Sequence, residues 1–165
     1  MAEHFDRALN AQDLIGPAFG ALVFIALMSM VPEPARQRFN AILVAGAGAA
    51  YLNGGLGAWE FVYIGIATVI SYKGLSCYRY IGLAWFCHAG WDAIHHLYAS
   101  PIWPWMPTSS AGCAVFDSVI GVWFVMNAPP VMRRFTRQPI DRPGGGGLRA
   151  AIVEDSSRDS STPRH

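Results

Sequence analysis

Four titratable side chains recur at helical spacing in one stretch of the chain: His88, Asp92, His95 and His96, between Trp85 and Tyr98. With His88 as zero and about 100° per residue, Asp92 falls at about 40°, His95 at about −20° and His96 at about 80°. Trp85 joins them at about 60°, so all share one arc of roughly 100°, while Phe86, Ile94 and Leu97 point elsewhere. Imidazoles and a carboxylate in one arc can do two kinds of chemistry. They can pass protons as general acids and bases. They can also bind metal, since His88, Asp92 and His95 at i, i+4, i+7 spacing could converge on one divalent cation such as zinc or iron. Glu60 and Asp117 are the carboxylates that could complete either site from other segments.

Other chemistries fit less well. The spacing superficially resembles the histidine boxes of membrane desaturases, but a di-iron site of that kind needs about eight histidines, and this chain has five, His4 and His165 being terminal. A bis-histidine haem needs ligands on facing helices, which here would require a dimer. Ser109, Ser110 and Ser118 are weak nucleophile candidates, and no phosphate-cradling glycine motif follows a strand. The three cysteines, Cys77, Cys87 and Cys113, lack paired spacing and read as small packing residues.

The elements that must position these residues are apolar spans. The chain is 53% hydrophobic and 14% charged over 165 residues, and its charges are segregated. Of eleven Asp and Glu only Glu60, Asp92 and Asp117 lie inside apolar runs, and the twelve Lys and Arg lie outside them or at their ends. Hydrocarbon demands that segregation. The pattern predicts an all-α, polytopic transmembrane bundle with five spans, at about 14–31, 38–54, 58–72, 78–98 and 112–128. Acidic Glu3, Asp6 and Asp13 argue against a secretory signal, so the first run reads as a retained anchor.

Small residues (Gly16 with Gly20, Gly46 with Ala50) suit close helix contact, and a homo-oligomer is an accompanying expectation. Asn53–Gly57 is a tight turn, which makes spans two and three an antiparallel hairpin. Pro101, Pro104 and Pro107 keep the following loop extended, with Trp103 and Trp105 at the headgroup level. Residues 138–165, with glycines 144–147, read as a disordered cytoplasmic tail.

With five spans, Arg36, Arg38, Lys73, Arg79, Arg133, Arg134 and Arg137 fall on one side and Arg7 on the other. Positive-inside bias then puts the amino terminus out and the carboxyl terminus in, in a multi-pass cell-membrane protein. This topology places Glu60, Asp92, His95, His96, Asp117, Tyr51 and Asn53 in the outer half of the bilayer. The basic residues flank membrane spans, and no nucleic-acid surface is expected.

Three strings carry a resemblance: YLNGGLGAWE (Tyr51 to Glu60), CHAGWDAIHHLY (Cys87 to Tyr98) and PIWPWMPTSSAGCAVFD (Pro101 to Asp117). They resemble a family of small bacterial integral membrane proteins of unknown function, over residues 40–130. The resemblance implies a membrane location and directs attention to those strings, without a reaction.

From the residues themselves, the leading expectation is a membrane-embedded enzyme acting on a lipophilic small molecule at the outer leaflet. His88, Asp92, His95, His96, Glu60 and Asp117 would be its acid–base groups, or ligands of a divalent metal held by His88, Asp92 and His95. Acid-initiated isoprenoid cyclisation is one alternative. A small oligomeric transporter or ion-binding membrane protein is another, and a structural network in which the same groups satisfy one another is a third. The inner half of the bundle has almost no ionisable group, which favours a one-sided site.

Overall fold

The computed structural model describes residues 9–53 and 55–131. The predicted tail over 138–165, the Asn53 side chain, Gly54, and Arg7, Arg133, Arg134 and Arg137 lie outside the described residues. Within these bounds the secondary structure is all helical, without strands. The α-helices are α1 (Ala11–Met30), α2 (Ala35–Ala47), α3 (Ala58–Gly74), α4 (Tyr78–Tyr98) and α5 (Ser109–Val125), with a 3₁₀ segment, Gly48–Asn53, after α2.

Local chemistry sets the boundaries. Asn10 caps α1 by accepting from the Gln12 and Asp13 amides, and Asp13 returns the bond to the Asn10 amide. The helix therefore starts ahead of the apolar run that begins at Leu14. Helix α5 likewise starts before position 112, at Ser109, and it ends early. Asn127 and Ala128 turn left-handed (φ 64° and 47°), and their amides bond back to the Phe124 and Trp123 carbonyls, closing the last turn.

The second span is not one continuous α-helix. From Gly48 the backbone tightens into 3₁₀ geometry, where side chains repeat every three residues rather than every 3.6. In a run of glycine and alanine no large side chain opposes that tightening. Tyr51, on this segment, is buried.

Helix packing is read from specific contacts. Helices α4 and α5 run antiparallel, with Gly82 against Gly121 and Val125 and Gly121 against Phe86. Helix α3 is antiparallel to α4, through Gly74 beside Ile81 and Glu60 beside Trp91. Helix α2 is antiparallel to α3, since Gln37 Nε2 donates to the Gly74 carbonyl and Gly48 faces Ile64. Helix α1 runs parallel to α5: Thr108 donates to Asp13, Gly20 meets Phe116, and the Val131 amide donates to Ser29. One end of the molecule thus gathers the start of α1, the 3₁₀ segment, the start of α3, the end of α4 and the 99–108 loop.

The small-residue stripe expected on the second span is not where the helices come closest. A Cβ on Gly46 or Gly16 would meet nothing within 4 Å. The close approach is at Gly82, where an added Cβ would lie 2.7 Å from the Gly121 carbonyl oxygen and 2.8 Å from the Val125 amide nitrogen. A small residue permits close approach but does not say which neighbour arrives.

An apolar core (Ile25, Val44, Ile81, Ile120 and Phe124) is buried alongside polar groups, and large apolar side chains are also exposed. His88, Asp92, His95, Glu60 and Asp117 are buried, while Ile15, Phe19, Ile42, Phe61, Val69 and Leu97 each expose more than half their surface. Among the described helices, α1 is long and apolar enough to cross a membrane; α5 is a shorter apolar helix.

Candidate acid–base site

The arc predicted on α4 faces inward. His88, Asp92 and His95 are 1%, 0% and 0% exposed, His96 is half-buried at the edge, and Phe86, Ile94 and Leu97 are exposed on the far side. Three neighbouring segments contribute the rest: Tyr51 from the 3₁₀ segment, Glu60 and Tyr63 from α3, and Asp117 from α5.

These residues form two hydrogen-bonded groups. In the first, Tyr51 Oη lies 2.7 Å from Asp92 Oδ1 and 3.2 Å from His88 Nδ1. His88 Nε2 donates to the Val44 carbonyl at 2.9 Å. The other Asp92 oxygen, Oδ2, is buried without an N–H or hydroxyl donor among the described residues. The Asp117 carboxyl stands beside Asp92 within hydrogen-bonding range. A hydrogen bond between two carboxyl groups exists only when one of them carries a proton, and the low dielectric of a buried site opposes two adjacent negative charges.

In the second group Glu60 is the acceptor. Its carboxylate takes the Trp91 indole N–H at 3.0 Å and the Leu56 amide at 3.2 Å. His95 Nε2 is 3.2 Å from Glu60 Oε1, and His95 Nδ1 donates to the Ser100 carbonyl at 3.3 Å. The Tyr51 ring separates the two groups, with its centroid 5.5 Å from His88 and 5.1 Å from His95. Tyr63 stacks on Trp91 with centroids 4.6 Å apart and presents an edge to Tyr51.

The residues singled out from the sequence therefore meet, but not as one cluster. His88 and Asp92 join through Tyr51, whereas His95 turns to Glu60. Among the described residues no group of three or more His, Cys, Asp or Glu is placed to hold a metal ion. His88 and His95 are each engaged at both ring nitrogens by protein oxygens.

Tyr51 is the member to which sequence reasoning assigned depth but no role. Its signal was its place at the head of the YLNGGLGAWE string. Ser109, Ser110 and Ser118 have structural partners: the first two accept from the Trp103 and Ile102 amides, and the third donates to the Ala114 carbonyl.

Two more polar atoms beside His88 are buried without hydrogen-bond partners among the described residues, Tyr63 Oη and Trp85 Nε1. Both rings lie 5.5 Å from the imidazole. The starts of α1 and α5 and the proline-rich loop line a mostly apolar, partly open cavity of about 320 Å³, with Asp13, Pro17, Trp103, Met106, Cys113 and Phe116 among its walls and no member of either polar group. Cys113 lies one helical turn before Asp117 on α5.

The family of unknown function DUF6010 matches residues 12–130, a stretch that contains nearly all of the five helices and every residue of both polar groups. The chain belongs to that family. No curated protein and no solved structure matches it. Because the family carries no assigned reaction, the functional reading rests on this site.

Proposed function

We propose that this chain is a multi-pass membrane protein with a buried acid–base centre, Asp92–Asp117 with Tyr51 and His88, that acts on a lipophilic small molecule. The observation that carries the reading is the carboxyl pair: two acids from adjacent helices, 0% and 6% exposed, within hydrogen-bonding range of each other. A pair that holds a proton can donate it and take it back.

The membrane reading is supported by the apolar side chains exposed along the helices, more than a water-soluble monomer leaves uncovered. Arg36, Arg38, Lys73 and Arg79 gather at the end opposite the polar site, which favours that end as cytoplasmic. The apolar cavity beside Cys113, one helical turn from Asp117, supports a lipophilic substrate. Tyr63 Oη and Trp85 Nε1, which lie against His88 and not in that cavity, are buried hydrogen-bonding groups that a polar atom reaching His88 would pair with. In this reading Glu60 and His95 hold the end of α4 against α3.

A second reading, proton or ion translocation, is favoured by one observation: the bonds from Asp117 through Asp92 and Tyr51 to His88 and Val44 form a chain linking α5, α4, the 3₁₀ segment and α2.

Infrared spectra of the purified protein in nanodiscs test the carboxyl pair. A protonated, buried carboxyl band should be present and should be altered in both Asp92→Asn and Asp117→Asn. Lipid extracts of membranes containing wild type should then differ from those containing folded Asp117→Asn. Identical extracts, with wild-type proteoliposomes collapsing a pH gradient that Asp117→Asn sustains, would favour translocation. No such band, together with two variants that fail to fold, would leave a structural network and overturn the proposal.

A further inference from the structure

The hydrogen bonds around Tyr51 can be satisfied by more than one placement of the same protons. A phenol has one hydrogen to donate, and Tyr51 Oη lies between two partners, Asp92 Oδ1 at 2.7 Å and His88 Nδ1 at 3.2 Å. The Val44 carbonyl is an obligate acceptor, so His88 Nε2 keeps its hydrogen throughout. With Asp117 protonated and donating to the other Asp92 oxygen throughout, two arrangements with the same number of protons satisfy every contact. In one, Asp92 is a neutral acid donating to Tyr51, Tyr51 donates to His88 Nδ1, and the imidazole is neutral. In the other, His88 is an imidazolium donating to Tyr51, and Tyr51 donates to an Asp92 carboxylate.

We propose that Tyr51 is a proton relay that interconverts these two states. This deepens the reading above and rests on Asp92–Asp117 being its acid pair. The step balances without any other reactant. The Asp92 O–H bond breaks as its proton passes to Tyr51 Oη, and the Tyr51 O–H bond breaks as its own proton passes to His88 Nδ1. Asp92 ends as a carboxylate, His88 as an imidazolium, and Tyr51 is unchanged.

The surroundings suit such an exchange. Tyr51, His88 and Asp92 are 3%, 1% and 0% exposed, so the proton moved is not readily supplied by bulk water. Each surrounding element presents a group that responds to it. The Asp117 carboxyl of α5 stands beside Asp92, the Val44 carbonyl of α2 bonds the His88 ring, and the Tyr63 ring of α3 packs edge-on against both aromatic partners. On α4, the His95 ring lies against the other side of Tyr51. The relay extends the reach of the acid pair from α5 to the imidazole, beside which Trp85 Nε1 and Tyr63 Oη are buried.

The test reads His88 by ¹⁵N NMR and the carboxyl band by infrared, on the full-length protein in nanodiscs. In Asp117→Asn the new amide can donate to Asp92 and favours its carboxylate. The proton should then appear on His88 Nδ1 as the band of Asp92 is lost. In Tyr51→Phe/Asp117→Asn, which keeps the ring but removes the hydroxyl, the imidazolium signature should be absent. An imidazolium that persists without the Tyr51 hydroxyl would overturn the relay, as would a neutral His88 in Asp117→Asn alone. If the double variant does not fold, wild type serves: on changing temperature, carboxyl band lost and imidazolium gained should match one for one, and unequal changes would overturn the proposal. A protonated carboxyl with a wrongly behaving His88 refutes the relay and spares the acid pair, whereas no protonated carboxyl in wild type refutes the pair itself.

Discussion

Replacing Gly82 with alanine tests whether α4 and α5 hold the acid pair together through backbone contact. An added Cβ would lie 2.7 Å from the Gly121 carbonyl oxygen, 2.8 Å from the Val125 amide nitrogen and 2.6 Å from Val125 Cγ2. The valine methyl could rotate away, but two of the three atoms are backbone. Ordinary van der Waals contact begins at about 3.4 Å, so the helices must part there by roughly 0.7 Å. Overpacking of this kind costs about 1–3 kcal/mol, and backbone-to-backbone contact places it toward the upper part of that range. Gly90 on the same helix is the control, because an added Cβ there meets nothing within 4 Å. Alanine at Gly90 should therefore gain up to about 1 kcal/mol from helix propensity alone. The two variants share that propensity gain, so their difference isolates the contact, at roughly 1–3 kcal/mol. Thermal unfolding of both proteins in the same detergent measures it. A Gly82→Ala protein as stable as Gly90→Ala would refute the close approach of α4 and α5.

Glu60→Gln places an amide among three N–H donors, those of Trp91, Leu56 and His95; the variant should lose about 1–3 kcal/mol in the same unfolding assay, because a buried donor is left without an acceptor. An impermeant thiol reagent added outside intact cells should label Trp105→Cys and not Tyr72→Cys, two exposed positions at opposite ends of the molecule; the reverse pattern would invert the topology.

The inward arc of α4 was legible in the sequence, because its spacing depends on helical pitch alone. His88, Asp92 and His95 share a face whatever surrounds them, and any apolar solvent forces that face toward protein. The gathering of Glu60, Asp92 and Asp117 toward one end was likewise readable, since short turns make successive helices alternate in direction. Tertiary structure decided which of these residues touch. His95 and His88 are only about 10 Å apart along one helix, yet one turns to Glu60 and the other to Tyr51, because distinct segments approach each level. Tyr51 entered the site through a local tightening of the backbone after Gly48, for which glycine and alanine leave room but which no periodicity announces. The helix contact at Gly82 was hidden for a related reason. Gly46 and Gly82 are the same residue in sequence, and only the arrival of Val125 and Gly121 makes one indispensable while the other faces open space.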